Sequence, residues 1–378
     1  MLSSILRSKP SYTSQIIDII RLIRSENVGT RTFYSLVKMF GSATKALEKV
    51  QEMSLNGGRG KPIKLYSKSD VEKELEKLDN AGAKVLTYLD DAYPPLLKHI
   101  SDAPPVISYL GNKEIFSKKF CAIVGARNSS LNGQNFASNI SKQLSQNKIN
   151  VVSGLARGID TAAHKASLPN TVAVIAGGID HIYPPENAKL FKEIAETGAI
   201  IAELSIGSVP LAQHFPQRNR IISGMSMVTL VVEASLKSGS LITARMALEQ
   251  GREVCAVPGF PLDPRCQGTN RLIKDGAHLI ESFDDVMEIL SQSDVRKNTS
   301  FSEDARDDNF ATMPFSGDLV SNSSRLRVIE VLSSTSTVVN NIQKAVDLPL
   351  PVVYAILLEL ELAGKVARTA GGGFVRVF

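Results

Sequence analysis

The sequence predicts an α/β protein with a parallel β-sheet at its centre, a small helical domain before the sheet and a winged helix after it. The sheet is predicted from five glycine-bearing turns in residues 121–260, each of which follows a short apolar run. A β-branched run, a glycine turn and a helical pattern together form the sequence pattern of a βα unit. Repetition of this unit indicates a parallel sheet with helices on both faces, which is an extended Rossmann-like core.

Size and composition set broad limits on the kind of protein. The 378 residues are enough for two or three domains, and the net charge of +5 is too mild to indicate a nucleic-acid-binding protein by itself. The three cysteines have neither metal-site nor redox-motif spacing, as is typical of reduced thiols. No apolar run approaches the roughly 20 residues of a membrane helix, and the first ten residues lack a signal-peptide core. We therefore expect a cytoplasmic protein that does not associate with membranes.

Residues 1–83 are predicted to form the small helical domain. Residues 15–50 contain three short amphipathic helices, with Gly29 and Thr30 in the turn between the first two. This pattern is similar to a helix-hairpin-helix or sterile-alpha-motif module, in which the amides of the turn can bind a phosphate. An ordinary turn is the alternative interpretation.

Three further segments complete the predicted organisation. The sheet domain with its entry connector occupies residues 84–290. Residues 291–324 contain six acidic against three basic residues and few apolar ones, which predicts a flexible linker. Residues 325–378 predict a winged helix, because three helices precede a glycine-tipped hairpin. Its third helix, over 352–363, has two glutamates and neither lysine nor arginine, so we expect a protein-docking or vestigial role rather than DNA reading.

The glycine turns lie where a parallel sheet binds its ligands, at the carboxyl ends of the strands. Backbone amides at such turns can bind anions. The first turn begins at Gly125 with a single glycine, and the second spaces Gly154 and Gly158 by four residues, so neither matches the dinucleotide motif. No strand is followed by the Gly-Lys-Ser/Thr of a P-loop. We therefore predict no nucleotide cofactor.

The same edge carries side chains suited to the phosphates of a polymer. Arginine binds phosphate oxygens in pairs, and an aromatic among cations is the combination that stacks on bases of single-stranded nucleic acid. Phe215 is such an aromatic, close in sequence to Arg218 and Arg220. A core position for Phe215 and a salt bridge from at least one of the two arginines to Glu203 or Glu233 are the alternatives. The polar residues predicted at this edge are Arg127, Ser153, Arg157, Arg218, Arg220, Lys237, Ser238 and Ser240.

Asp160 and His164 form a candidate acid–base pair, since they are four residues apart on a helix predicted to open at Thr161. The favoured interpretation is structural, with the carboxylate at the helix N-terminus bonding a satisfied histidine. No nucleophile stands at motif spacing from a base, and no histidine or carboxylate cluster suits a metal. We predict neither a metal site nor an enzyme.

Several motifs occur in a fixed order between residues 90 and 280. They include Ile123-Val-Gly-Ala-Arg127, Val152-Ser-Gly-Leu-Ala-Arg-Gly-Ile-Asp-Thr-Ala-Ala-His164, Phe215-Pro-Gln-Arg-Asn-Arg-Ile-Ile222 and Glu233-Ala-Ser-Leu-Lys-Ser-Gly-Ser-Leu-Ile-Thr-Ala-Arg245. The series resembles the DNA-processing protein A (DprA, or Smf) family, whose longer members also have the two flanking modules.

The resemblance implies a protein that binds and protects incoming single-stranded DNA and loads a RecA-type recombinase in natural transformation or recombination. It implies no catalytic step and a homodimer, with contacts near residues 272–289, although these residues could instead pack the final strand. Some members have a basic residue where this chain has Leu211-Ala-Gln213, which predicts fewer phosphate contacts here. The DNA-binding residues predicted from the motifs and the resemblance are Gly125, Arg127, Ser153, Gly154, Arg157, Gly158, Phe215, Arg218, Asn219, Arg220, Lys237, Ser238, Gly239 and Ser240.

The rival interpretation is a nucleotide phosphoribohydrolase of the lysine-decarboxylase-like type, which shares a related core. That family has a Pro-Gly-Gly-x-Gly-Thr-x-x-Glu turn. Here Gly177-Gly178 continues into Ile-Asp-His, so the motif is not matched.

Overall fold

The protein forms two compact units in the computed structural model. One contains residues from both ends of the chain, within 1–73 and 305–378, and the other spans residues 74–304. The structure describes three stretches of the chain, residues 12–300, 320–369 and 372–377.

The described part of the larger unit contains a nine-stranded sheet with the order β1-β2-β6-β5-β4-β3-β7-β8-β9. Its strands are β1 (Lys84–Thr87), β2 (Val106–Gly111), β3 (Phe120–Val124), β4 (Asn150–Ser153), β5 (Thr171–Ile175), β6 (Ala199–Ala202), β7 (Val228–Val231), β8 (Glu253–Ala256) and β9 (His278–Leu279). Strand β2 is antiparallel to both neighbours, and the remaining pairs are parallel. The predicted parallel sheet is confirmed.

Helices connect the strands and form most of the smaller unit. None of the helices that the structure describes is long and apolar enough to cross a membrane. In chain order the helices are α1 (Ser14–Arg24), α2 (Thr30–Phe40), α3 (Ala43–Asn56), α4 (Lys68–Asn80), α5 (Pro95–Lys98), α6 (Leu131–Gln146), α7 (Ile159–Ser167), α8 (Ala188–Thr197), α9 (His214–Met225), α10 (Gly239–Glu249), α11 (Gln267–Lys274), α12 (Phe283–Ser300), α13 (Asn322–Val331), α14 (Val339–Val346) and α15 (Leu350–Leu362).

The strand order reverses direction beside β3. The chain steps from β3 through β4 and β5 to β6 on one side, and α9 then carries it to β7 on the other side of β3. Right-handed crossovers in opposite directions place the connecting helices on opposite faces of the sheet. The loops after β3 and β7 therefore diverge, and such a divergence opens a crevice at the carboxyl edge.

Complete burial of the central strands explains their apolar sequences. Every residue of β3, β5 and β7 is buried. Side chains from α6, α7 and α12 pack with Ile123 and Leu230 in one apolar cluster. A sheet covered in this way requires continuous apolar strands rather than alternating ones.

The smaller unit confirms the predicted helical and winged-helix modules. The three helices were predicted within residues 15–50. Helix α1 begins one residue earlier, at Ser14, and α3 ends later, at Asn56. Helices α13–α15 are followed by the antiparallel hairpin of β10 (Val366–Arg368) and β11 (Phe374–Arg376). Of the predicted linker, residues 291–300 continue α12, whereas residues 301–319 lie outside the described part.

Candidate nucleic-acid interface

A cavity of about 340 Å³ lies at the carboxyl ends of β3, β4 and β5. Its lining comes from the turns that follow these strands and from the start of α9. Five of the predicted DNA-binding residues line it, namely Arg127, Gly154, Arg157, Phe215 and Arg218. The structure thus brings together residues from three separate parts of the sequence, because parallel strands end at a common edge.

An aromatic and cationic cluster forms one side of the cavity. The Arg127 guanidinium lies over the Phe215 ring, 5.2 Å from its centroid. The Tyr183 ring meets Phe215 edge to face, with centroids 5.6 Å apart. Phe215 is half-buried and Tyr183 is 43% exposed, so both rings border the open cavity. The arrangement provides π-faces and a fixed positive charge at one place.

Tyr183 is a cavity residue that the sequence analysis missed. The tyrosine follows the Gly177-Gly178 turn after β5, at the edge where the other site residues were expected. An aromatic shortly after a glycine turn at that edge was the available signal. His181 and Pro210 line the same cavity and were also not predicted.

Arg218 forms the floor of the cavity. It is 7% exposed, and its Nη1 atom donates hydrogen bonds to the carbonyl oxygens of Gly154, at 2.6 Å, and Val174. Burial lowers the pKa of the guanidinium to about 10, although the nearby Asp160 carboxylate opposes this effect. The group therefore remains protonated at neutral pH and places a buried positive charge beneath the cavity.

The predicted bond between Asp160 and His164 is wrong. Asp160 Oδ2 accepts hydrogen bonds from the amides of Gly154, at 3.0 Å, and Ala156, at 3.4 Å. His164 Nδ1 instead lies 2.7 Å from Thr171 Oγ1. Asp160 is in the first turn of α7, where a carboxylate can turn back to the preceding amides. The amides of Gly154 and Ala156 are thus bonded within the protein.

Arg220 occupies a buried ion-pair cluster. It is 8% exposed, with Nη2 at 2.5 Å from Glu203 Oε1 and Nε at 3.6 Å from Asp102 Oδ2. Of the alternatives considered from sequence, the salt bridge to Glu203 is the one that the structure shows. Glu233 instead accepts hydrogen bonds from the amide and hydroxyl groups of Ser130.

Three other predicted residues hold the turns together. Ser153 is fully buried and donates through Oγ to the Ile123 carbonyl oxygen at 2.6 Å. A Cβ atom on Gly125 would lie 2.6 Å from the Ile159 side chain. Gly158 has φ of +74°, and its Cβ would lie 2.4 Å from the Ala126 carbonyl oxygen. Glycine is required at both positions so that the turns after β3 and β4 can approach each other closely.

Four of the predicted residues, Lys237 to Ser240, lie at the turn after β7, on the other side of β3. Ser238 is the N-cap of α10 and accepts a hydrogen bond from the Ser240 amide at 3.4 Å. Asn219 Nδ2 donates to the Gly239 carbonyl oxygen at 3.4 Å, which links α9 to the start of α10. Lys237 is exposed. This turn extends the same edge beyond the cavity.

Arg157 is an exposed cation at the rim of the cavity. Its Nη2 atom lies 2.7 Å from Glu186 Oε1, and both side chains are more than half exposed. An ion pair in water contributes little to stability, about 0–1 kcal/mol. Arg157 could therefore leave Glu186 and bind a phosphate instead with little loss of free energy.

Comparison with known proteins identifies the family. The family model for DNA recombination-mediator protein A matches residues 84–291, more than half of the chain. The chain belongs to the DprA family. The models for the DprA-like N-terminal HHH domain and the DprA winged helix domain match residues 13–76 and 320–372.

Individual DprA relatives agree with this assignment. The chain is 36% identical to Protein Smf from Escherichia coli K12 over 321 residues, which cover 82% of each chain. DprA from Streptococcus pneumoniae has a solved structure that matches with a TM-score of 0.53 and 35% identity, over 68% of this chain and 97% of that one. DNA processing protein A from Helicobacter pylori matches with a TM-score of 0.51 and 28% identity, over 56% and 96%. The solved structure of the Helicobacter protein concerns its single-stranded DNA binding mode.

Proposed function

We propose that this protein binds single-stranded DNA at the cavity above β3, β4 and β5, protects the strand and delivers it to a RecA-type recombinase. The observation that carries the proposal is the pairing of Arg127 with Phe215 at the cavity side, above the buried Arg218. Membership of the DprA family and the DNA-binding mode reported for the Helicobacter relative support it.

The cavity supplies the two contacts that a single strand needs. A base stacked on the Phe215 ring contributes about 1–3 kcal/mol, and the stacking does not depend on the identity of the base. Arg127 lies over the ring and Arg157 lines the same cavity, so both can supply charge for the flanking phosphates. A base can stack on the Phe215 ring only if one of its own faces is unstacked. In a duplex, neighbouring base pairs cover both faces of each base. The site thus favours a single strand over a duplex.

The turn at Lys237–Ser240 continues the proposed path of the strand. Lys237 is exposed, and α10 begins two residues later, at Gly239. The dipole at a helix N-terminus favours a phosphate near it. Ser153 and Arg220 hold the turns and α9 in place, so in this proposal they position the site and do not contact DNA.

A homodimer through the Rossmann-like domain is part of the proposal. Strand β9 is at the edge of the sheet, and Leu279 on it is 46% exposed. Leu272 and Ile273 are partly exposed nearby in sequence, whereas Ile280 is buried in the apolar cluster with α12. Leu272, Ile273 and Leu279 are therefore suited to a dimer contact, and Ile280 is a core residue.

A cytoplasmic location is also part of the proposal, because the recombinase that would receive the DNA acts there.

The proposed activity has no catalytic step. The acid–base candidates, Asp160 and His164, are both buried and hydrogen-bonded within the domain. The rival function, a nucleotide phosphoribohydrolase, is tested by incubating the protein with AMP. Release of ribose phosphate would favour the rival and contradict the proposal.

Titration with a labelled single-stranded oligonucleotide and the matching duplex, at two salt concentrations, tests the proposed function. We expect the single strand to bind much more tightly than the duplex, with an affinity that falls as salt rises because phosphate contacts release counterions. Equal affinity for the two forms would contradict the stacking site, and absence of binding would contradict the whole proposal. A recombinase-loading assay follows from the expected result.

A further inference from the structure

The third helix of the winged helix packs against the N-terminal module within the smaller unit. Gly57 directly follows α3, and a Cβ atom on it would lie 2.1 Å from the Glu359 carbonyl oxygen and 2.8 Å from the Ala363 Cβ atom. Glu359 lies in the last turn of α15, and Ala363 is the C-cap of that helix. The glycine therefore permits backbone contact between the two modules.

The turn between α1 and α2 meets the carboxyl end of the same helix. Asn27 in this turn donates a hydrogen bond through Nδ2 to the Leu362 carbonyl oxygen, at 3.0 Å. In a helix-hairpin-helix module this turn faces a phosphate. Here it faces the carbonyl end of α15, which carries a partial negative charge.

The hairpin of the winged helix also contacts the N-terminal module. Arg368 on β10 donates through Nη2 to Ser35 Oγ of α2, at 3.2 Å. Arg368 also bonds Glu361 at 3.3 Å, and Glu361 in turn accepts a hydrogen bond from Thr32 of α2. Four side chains thus connect the hairpin, α15 and α2.

The glutamates of α15 are bonded within this unit. Glu359 is 1% exposed and accepts two hydrogen bonds from Arg325, at 2.7 and 2.9 Å. Eight of the thirteen residues of α15 are buried. A helix that reads a DNA groove presents exposed polar or basic side chains, and α15 has a different surface.

We propose that α15 is a docking helix whose occupant is the N-terminal helical module of the same chain. The two docked surfaces are the third helix of the winged helix and the turn between α1 and α2, elements that other winged-helix and helix-hairpin-helix modules present to DNA and that serve here as protein contacts. In this arrangement the modules act as one protein body, and neither contributes to single-strand binding.

A nicked full-length protein tests the docking. A protease recognition sequence is inserted between Asp308 and Asn309, the protein is cleaved to completion, and the two pieces are analysed by gel filtration. Gly57→Leu is the disrupting variant, since Gly57 has φ of −66° and the added side chain would clash with atoms of α15. Gly60→Leu is the matched control, because nothing lies within 4 Å of a Cβ atom there.

We expect the C-terminal piece to co-elute with the rest of the parent protein and of Gly60→Leu. In Gly57→Leu the pieces should separate, because overpacking lowers the affinity of the C-terminal piece for the rest of the protein by about tenfold or more. Asn27→Asp is a second variant without a volume change. It replaces the amide donor by a carboxylate facing helix carbonyl groups, at a positive φ that aspartate tolerates, and should also weaken co-elution.

Three results would overturn the inference. The first is separation of the pieces in the cleaved parent protein, and the second is retention in Gly57→Leu equal to that of the parent. The third is a gain of duplex DNA binding by uncleaved Gly57→Leu, which would indicate that α15 reads DNA. Single-strand affinity should be the same in all variants, so failure of this docking is distinguishable from failure of the proposed DNA site.

Discussion

The Arg127 guanidinium and the Phe215 ring face each other at 5.2 Å across the carboxyl edge of the sheet. Arg127 follows β3 and Phe215 lies in the first turn of α9, so two separate connections of the fold create the pair. A cation over an aromatic ring is attracted to the ring face, by about 0.5–1 kcal/mol where both are exposed. The contact keeps both groups at the side of the cavity. In the proposed function, a base stacks on the ring there and a phosphate binds the guanidinium.

Phe215→Ala should weaken single-strand binding by about 1–3 kcal/mol, because one base loses its stacking partner. Fluorescence anisotropy with a labelled oligonucleotide measures the change. Phe215→Tyr retains the ring and is the control, with an expected affinity close to that of the parent. Circular dichroism checks the fold of both variants. Full affinity in a folded Phe215→Ala protein would exclude stacking on this ring.

Arg127→Glu should nearly abolish DNA binding, since it removes a phosphate contact and adds a repulsive charge. Lys142→Glu makes the same change of charge near the carboxyl end of α6, which a βα unit places at the opposite edge of the sheet. We expect the Lys142 variant to bind nearly as well as the parent. Equal losses in the two variants at several salt concentrations would attribute the effect to net charge and contradict a specific site.

Arg218→Met should destabilise the larger unit by about 1–3 kcal/mol for each buried hydrogen-bond partner that it leaves unsatisfied. The change leaves the Gly154 and Val174 carbonyl oxygens without this donor and Asp160 without its neighbouring positive charge. Urea unfolding at neutral pH measures the loss. Arg245→Met, on the exposed face of α10, is the control and should shift stability by no more than about 0.5 kcal/mol. Unchanged stability in Arg218→Met would show that the arginine has no structural role.

His164 should make the protein less stable as the pH falls. Burial lowers its folded-state pKa to about 3 from the ordinary value of 6.5, so between these values the unfolded chain binds an extra proton. Stability due to this group is therefore complete above about pH 6.5 and is lost as the pH falls toward 3, by at most about 1.4 kcal/mol per pH unit.

His164→Gln should flatten this pH dependence, which urea unfolding between pH 7 and 4.5 would measure against the parent. His99→Gln is the control, since His99 is exposed on the surface of the larger unit. The same slope in the parent and in His164→Gln would contradict a buried neutral histidine.

Local patterns were sufficient to predict the elements of the fold. Apolar runs with glycine turns predicted the parallel strands, and helical periodicity predicted α1–α3 and α13–α15, because both signals report burial of one repeating face. The edge of the sheet was predictable as the site because topology alone brings the turns together.

Side-chain partners were less predictable because they depend on distances across the fold. The spacing of Asp160 and His164 suggested a bond within one helix, whereas amides of the preceding turn and Thr171 on β5 are the actual partners. The roles of Arg218 and Arg220 also differ, although only one residue separates them. The two side chains leave α9 in opposite directions. Arg218 reaches the floor of the cavity, and Arg220 reaches Glu203.

The hydrogen bonds of Arg218 to Gly154 and Val174 also affect the free energy of DNA binding in the proposed function. These bonds join α9 to the ends of β4 and β5, so the floor of the cavity has its final shape before DNA binds. A preorganised receptor avoids the entropic cost of ordering its own loops. The ordering cost of association then falls mainly on the DNA, which is the more flexible partner.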